Sequence, residues 1–557
     1  MKEIDNQSIN ALRFLSVDMI NNAQSGYPGT AIDAAPMAYE LWENQMYFNP
    51  MDPHWLNRDR FVLSPGHASA LLYSLLYLNK FDLTLKDLKH FRKLNSKTPG
   101  HPEYDHPLGV EATTGPLSQG LGMAVGMAMA EQHMASIYNK PGYNIIDHYT
   151  YAIISDGDLM EGLSHEAISI AGDQKLAKLI FLYDSNDVSL DGPLNLSTNE
   201  NVKKRFEAEN WDYHFVADGN DFQQLHAAIE GAQKTMRPSI IEVKNIIGYG
   251  TPLAGTNKIH GSVMNKTELQ QMRSFYHWHH DPFMIPADIY QNYENKVAQR
   301  QKYYDEWQQL FMAYQKQYPQ EASYLRTSQL NTTNIKNDYH INDQVSTREA
   351  SQNIMNQLVK DNPQFWGGAA DLSSSNKTYL TNQGDFTNHT PNGKNIFFGV
   401  REFGMGAALN GINLNKGTRA FGSTFLAFSD YLKPAIRLAS LMSDPSIFIF
   451  SHDSIALGED GPTHQPVEQL EGLRTIPNIN VLRPADAVET VGAWDVIAHT
   501  VHKPSVLVTS RQALPVLANS SRQAVERGGY IISDTATPEG ILLAAGSEVQ
   551  LALRAKQ

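Results

Sequence analysis

Short apolar runs alternate with segments of helical periodicity over roughly the first 300 residues. Runs at 150–155, 178–183 and 239–246 read as strands, and 121–134, rich in Gly, Ala and Met, reads as a helix between them. That is the βαβ rhythm of a parallel sheet buried on both faces. From about 290 to 342 the chain turns polar and rich in Gln, Tyr and Asn, with Trp307 and Leu310 at helical spacing, which predicts a helical connector. A second α/β pattern starts near Ser346, with candidate strands at 365–370, 396–398, 447–450, 480–482 and 505–509 and a helix over 425–442. A third opens at Gly540 with the run 541–546, a strand and glycine turn, then a helix over 548–556. One βα unit cannot bury its own faces, so this last pattern predicts a domain cut short. The expected architecture is two parallel-sheet α/β domains, 1–320 with its connector to about 342 and then 343–527, plus the start of a third over 528–557.

Composition narrows the function classes. At 557 residues the chain exceeds one hydrophobic core, and length alone predicts about three to four domains. Hydrophobic residues make up 41% and charged residues 19%, as in soluble globular proteins. The net charge of −14 argues against a nucleic-acid or acidic-membrane partner, so an anionic substrate must be met by a local cluster of Arg and His. There is no cysteine, which excludes disulfides, thiolate metal sites and thiol nucleophiles. The first residues lack the apolar core of a signal peptide, and no run of about eighteen apolar residues could span a membrane. The expected location is the cytoplasm.

Candidate chemistry gathers where strands end. Asp156 and Gly157 stand where the strand at 149–154 should turn into a helix, and the strand at 179–183 delivers Asn186 at its C-terminal end. In a parallel sheet those ends are neighbours, on the edge where ligands bind. A carboxylate and a carboxamide there, beside a glycine and a helix start, suit Mg²⁺ or Ca²⁺ holding a diphosphate, although Asp-Gly at a strand end is ordinarily a turn. Ser64-Pro65-Gly66-His67 follows the run 60–63, Thr98-Pro99-Gly100-His101 is a loop by composition, Gly115-Pro116-Leu117 precedes the Gly/Ala/Met helix, and Lys258-Ile259-His260-Gly261 follows a strand ending near Gly248. A histidine beside glycine is ordinarily a surface loop residue, but three on one side of one predicted sheet can donate to phosphate oxygens.

In the second pattern, Phe425, Phe428 and Tyr431 recur every three residues on the predicted helix. They form either a core stripe or an aromatic slot for a flat heterocycle. Glu402 begins a helix running to Asn413, as a dipole residue or as an acid. Ser451-His452-Asp453-Ser454 and then Gly458-Glu459-Asp460-Gly461-Pro462-Thr463-His464-Gln465-Pro466 crowd polar groups just past a buried strand, which favours function over a solvated loop. Arg348, Ser375 and Arg511 lie near predicted element ends, where an arginine can grip a phosphate in bidentate fashion.

Together these residues resemble the transketolase family over essentially the whole chain. The match includes Ser25-Gly26-Tyr27-Pro28-Gly29, Ser96-Lys97-Thr98-Pro99-Gly100-His101-Pro102-Glu103, Gly109-Val110-Glu111-Ala112-Thr113-Thr114-Gly115-Pro116-Leu117 and the long run 458–466. The resemblance implies a diphosphate-binding domain, a pyrimidine-binding domain and a C-terminal domain, in a homodimer whose active sites are shared between subunits. It implies thiamine diphosphate with Mg²⁺ (or Ca²⁺), the metal held by Asp156, Asn186 and the Val188 carbonyl. Gly157, His67 and His260 would meet the diphosphate, Gly115 and Leu117 would line the ring system, and Asp371 would also contact the cofactor. Phe425, Phe428 and Tyr431 would enclose the aminopyrimidine, with Glu402 at its N1′ nitrogen and its pKa raised by burial. His101, His464 and Asp460 would contact sugar hydroxyls, with His260 and Glu402 completing the catalytic set. Tyr27 would lie with the substrate, and Arg348, Ser375, His452 and Arg511 would bind its terminal phosphate. The implied activity is reversible transfer of a two-carbon ketol unit between sugar phosphates of the pentose phosphate pathway, through a C2 carbanion of the cofactor.

The chain departs from the family pattern in three places. Tyr27 stands where the family has His, and a phenol is not a base near neutral pH, so weakened turnover or altered substrate handling is expected. Ser155 replaces the first Gly of the metal motif, and Phe403 replaces a His that commonly follows the glutamate. The third domain stops after its first unit, which should leave activity but weaken the dimer. Competing readings are a phosphoketolase or a dihydroxyacetone synthase, and, from another class, a catalytically idle relative serving in assembly.

Overall fold

The run Leu-Ile-Phe-Leu-Tyr-Asp-Ser has no polar face until its last two residues, and it forms the fully buried centre of a five-stranded parallel sheet. The strands are β1 (Arg60–Leu63), β2 (Thr150–Ser155), β3 (Leu179–Ser185), β4 (Asp212–Val216) and β5 (Ser239–Lys244), in the spatial order β1-β2-β3-β5-β4. This computed structural model describes residues 3–556. Thr150 pairs with Leu179 and Ser155 with Asp184, so the residues after β2 and β3 emerge side by side. The helix Gln119–Tyr138 packs along β1 and β2 through its small residues. A Cβ on Gly120 would lie 2.7 Å from the Ser64 Cα, so only glycine lets the helix start so close to the end of β1.

The expected connector is a 31-residue helix, Ala287–Gln317, that belongs to this first unit. Its Trp307 indole donates to Ile145 O (3.0 Å), and its Tyr314 hydroxyl donates to Tyr138 O (2.9 Å). After the short helix Pro319–Tyr324 the chain runs irregularly to the next strand, so the helical expectation fails beyond that point. The edge strand β4, half exposed and mixed in polarity, was not anticipated. β5 ends at Lys244 rather than near Gly248.

The second unit begins at Pro319. It contains β6 (Gln344–Ser346), β7 (Phe365–Ala369), β8 (Asn395–Phe397), β9 (Arg419–Phe425), β10 (Ile447–Ser451), β11 (Asn480–Leu482), β12 (Ser505–Val508) and β13 (Ala513–Pro515). Six of them form a parallel sheet ordered β11-β12-β10-β9-β7-β8, while β6 and β13 pair antiparallel. The inner strand β9 contradicts the helix expected over 425–442. Phe425 closes β9, Leu426–Phe428 is a single 3₁₀ turn, and the helix is Ser429–Leu441. The β9 sequence Arg-Ala-Phe-Gly-Ser-Thr-Phe lacks an apolar run, yet every residue is buried, and at Gly422 a Cβ would stand 2.2 Å from Leu409 Cδ1.

The strand expected at 541–546 is also absent. Residues 541–545 are irregular and Gly546 opens a 3₁₀ turn, and Ile541 and Leu543 are 84% and 93% exposed, since a strand needs a neighbour for its hydrogen bonds and none is there among the described residues. The helix that follows, Val549–Lys556, is formed. Among the described residues no helix is long and apolar enough to cross a membrane.

Candidate active site

The first unit builds a polar corner at the ends of β2 and β3. Ser155 closes β2 in extended backbone (φ −127°) and caps the helical turn Asp156–Met160 reciprocally with Asp158. The position therefore has no need of a glycine, and the serine contributes a capping box. Asp158 is buried and its carboxylate accepts four hydrogen bonds: from Ser64 Oγ (2.7 Å) and Ser118 N (2.6 Å), and from Ser155 N (2.9 Å) and Ser155 Oγ (3.0 Å). It ties the ends of β1 and β2 to the entry of the helix Gln119–Tyr138. Nothing in its sequence context marked it.

Asp156 is buried and accepts from the Tyr183 hydroxyl. Burial, with Asp184 and Asp187 facing it, pushes its carboxyl up to about 7. Asp184, itself pushed up to about 6 by burial, accepts from Asn186 Nδ2 (3.0 Å) and Asn245 Nδ2 (2.7 Å). Asn186 Oδ1 is left toward Val188, whose N–H donates to it at 3.3 Å. Asp156, Asn186 and Val188 offer a carboxylate, an amide oxygen and a backbone carbonyl, the all-oxygen chemistry that suits a hard divalent cation. Burial and the two facing carboxylates outweigh the distant pull of Lys244 on Asp156, so the chemistry of this corner fits such an ion. Among the described residues no group of three or more His, Cys, Asp or Glu is placed to hold a metal, so the fit rests on amide and carbonyl oxygens beside one carboxylate.

Glycines open a cradle next to this corner. A Cβ on Gly157 would meet Leu117 Cδ1 at 2.9 Å, and one on Gly115, at φ +128°, would meet the His101 ring at 3.0 Å. The predicted histidines do come together here, around Tyr27. Its ring lies 5.3 Å from that of His67, 5.9 Å from His260 and 6.3 Å from His101, and His67 and His260 are 4.9 Å apart. Burial and the neighbouring His260, His101 and Arg92 push His67 down to about 3. Burial also lowers His101, helped by Arg92, and lowers His260. The cluster is therefore neutral near pH 7 and serves as hydrogen-bond donor and acceptor.

The second unit presents its own set. Glu402 begins the helix Glu402–Asn413, and burial raises its carboxyl against the opposing pull of its own N–H and the Thr424 hydroxyl. Phe425 and Phe428 lie parallel with centroids 5.8 Å apart, and Tyr431 meets Phe428 edge-on at 6.1 Å. They reach one another across a strand end, a turn and a helix start, not along one helical face. His452, in left-handed backbone (φ +61°), lies 3.8 Å from the Phe425 ring, and His464 lies 5.2 Å from Phe428. Burial pushes His452 down to about 4, with Arg348 and Arg511 lowering it and Asp460 opposing. Arg348 donates to Ser375 O (2.7 Å), and Arg511 pairs with Glu459 (2.5 Å). Asp371 occupies a left-handed turn just past β7 (φ +59°). Phe428 and Tyr431 also line a groove of about 560 Å³ with Asp430, Ile455 and Gln465.

One parallel α/β unit ends in a carboxylate–amide corner beside neutral histidines; the other carries a raised helix-start carboxyl beside paired aromatics. Residues 4–332 match the family model for the transketolase thiamine diphosphate binding domain, and residues 343–516 match that for the transketolase pyrimidine binding domain. The chain is 50% identical to the transketolase of Bacillus subtilis (strain 168), over 100% of this chain and 86% of the relative. It is 49% identical to that of Geobacillus stearothermophilus, over 100% and 85%. Among solved structures, a transketolase mutant from Pichia stipitis superposes with a TM-score of 0.97 at 39% identity, covering 100% of this chain and 84% of the other. A Campylobacter jejuni transketolase gives 0.93 at 41% identity, with 100% and 86% covered. The chain belongs to the transketolase family.

Proposed function

We propose that the chain carries a two-carbon ketol unit reversibly from a ketose phosphate to an aldose phosphate, as a cytoplasmic enzyme of the pentose phosphate pathway. The observation that carries this reading is Glu402: a carboxyl raised by burial at a helix start, with Phe425 and Phe428 stacked nearby. Asp156, Asn186 and the Val188 carbonyl would hold Mg²⁺ (or Ca²⁺), the backbone at Gly157 with His67 and His260 would meet the diphosphate, and Gly115 and Leu117 would line the ring system. Thiamine diphosphate, when bound, supplies a nucleophilic carbon and an electron sink for cleaving the ketose C2–C3 bond.

Glu402 would hold a proton at the pyrimidine N1′ atom, a task suited to a carboxyl whose pKa burial raises. Phe425, Phe428 and Tyr431 would enclose that flat ring, and Asp371 would add a cofactor contact. His101, His260, His464 and Asp460 would orient the sugar through its oxygens, with Tyr27 among them. Arg348, Ser375, His452 and Arg511 would take the terminal phosphate, two guanidinium forks being the natural partners of a dianion. We further propose a homodimer in which each site draws its diphosphate half from one subunit and its pyrimidine half from the other. One relative, from Pichia stipitis, was solved in complex with sedoheptulose 7-phosphate, which supports a sugar phosphate as substrate.

Incubation with xylulose 5-phosphate and ribose 5-phosphate should yield sedoheptulose 7-phosphate and glyceraldehyde 3-phosphate. Acetyl phosphate formed from xylulose 5-phosphate and inorganic phosphate would overturn this reading in favour of a phosphoketolase.

A further inference from the structure

Arg92 touches two of the loops that carry the histidine cluster. Its backbone is left-handed (φ +61°), with its N–H bonded to Thr98 O at 3.0 Å, a conformation a long side chain adopts only at some cost. From there Nη1 donates to Ser25 Oγ (3.0 Å) and Nη2 donates to Gly100 O (3.3 Å). The guanidinium carbon lies 5.3 Å from the centre of the Tyr27 ring. Gly100 leaves the room for it, since a Cβ there would stand 3.3 Å from Nε and 3.4 Å from Cζ.

We propose that Arg92 is a positioning residue of the reaction: its guanidinium staples the loop of Ser25 and Tyr27 to the loop of Gly100 and His101, and so fixes the phenol against the imidazole. The location of the sugar beside these two residues rests on the function proposed above. The staple needs a planar fork, because two acceptors on separate loops and a ring face must be met at once. A lysine keeps the charge but offers a point cation. The charge has its own consequence. The charged and titratable groups facing His101 are Arg92 and Tyr27, and those facing His67 are Tyr27, His101, His260 and Arg92. With no anion among them, the Arg92 cation disfavours imidazolium at both histidines.

The test compares Arg92→Lys and Arg92→Gln with the wild type in the full chain. Both variants should lower kcat/KM for xylulose 5-phosphate on the order of ten- to a hundredfold, the range for misplaced reacting groups. Both should change the dissociation constant for thiamine diphosphate with Mg²⁺ by less than about threefold. Only Arg92→Gln should move the acid limb of the kcat/KM profile toward neutral pH, and only in that variant should the His101 imidazole resonance titrate at higher pH in the cofactor-free protein. The resonance titration needs no turnover, so it separates failure of this proposal from failure of the proposed function. Wild-type kcat/KM in both variants, an unmoved His101 titration in Arg92→Gln, or losses matched by an equal weakening of cofactor binding would overturn it. If Arg92→Gln does not fold, Arg92→Lys still decides through the loss of kcat/KM at unchanged cofactor affinity.

Discussion

Replacing Asp158 with alanine removes the one acceptor on which four donors from three segments converge. Two of those donors are the hydroxyls of Ser64 and Ser155, which can rotate toward other partners. The other two are the backbone N–H groups of Ser118 and Ser155, which cannot. Each buried N–H left without a partner costs about 1–3 kcal/mol, and the Ser155 N–H is the half of the capping box that Asp158 supplies. Burial holds the Asp158 carboxyl above its ordinary range, so desolvation already cancels part of this gain, and we expect a net loss of about 3 kcal/mol. In a unit of this size 1 kcal/mol corresponds to about 2 °C, so the midpoint of its thermal transition should fall by about 6 °C. Asp158→Asn keeps the shape but turns an NH₂ toward one pair of donors, and should recover no more than about half of the loss. Scanning calorimetry of the cofactor-free protein measures both variants. A midpoint for Asp158→Ala within about 1 °C of the wild type would refute the role given to this carboxylate.

Tyr27→His should raise turnover by about tenfold or shift acceptor preference, because a neutral imidazole offers a basic acceptor nitrogen that a phenol lacks near neutral pH; unchanged kcat and KM would refute the importance of that position. Burial depresses His452 to about 4, below the unfolded value of about 6.5. Its contribution to stability is therefore complete above about pH 6.5 and lost as the pH falls through about 4. The amount is on the order of 3 kcal/mol at about 1.4 kcal/mol per unit, and His67 adds to it in the same direction. His452→Asn should thus lose less thermal stability between pH 7 and pH 4.5 than the wild type does, and an equal loss would contradict the assignment.

The parallel sheets were legible where strands are continuously apolar, as in β3 and β10, because burial on both faces leaves a run with no polar side. β9 was not, since Gly422, Ser423 and Thr424 interrupt any apolar run while their burial comes from neighbours distant in sequence. That one omission moved Phe425 onto a helix it does not belong to. The run 541–546 erred in the opposite direction: its pattern is that of a strand, but pairing is a property of two segments. Asp156 and Asn186 could be placed at neighbouring strand ends because register in a parallel sheet aligns those ends. Arg92 and Asp158 could not, because one looks like a charged surface residue and the other like an ordinary helix-start acid. Their significance lies in hydrogen bonds to segments 67 and 94 residues away.

The central claim is that Asp156, Asn186 and the histidine cluster hold a metal–diphosphate group that the pyrimidine half then sets to work. Titration of the purified protein with thiamine diphosphate, with and without Mg²⁺, followed by a coupled assay with xylulose 5-phosphate and ribose 5-phosphate, tests it most directly. The account predicts saturable binding that requires the cation, ketol transfer that appears in step with occupancy, and loss of both in Asp156→Ala. Binding indifferent to the cation and to Asp156, or full occupancy without ketol transfer, would contradict it.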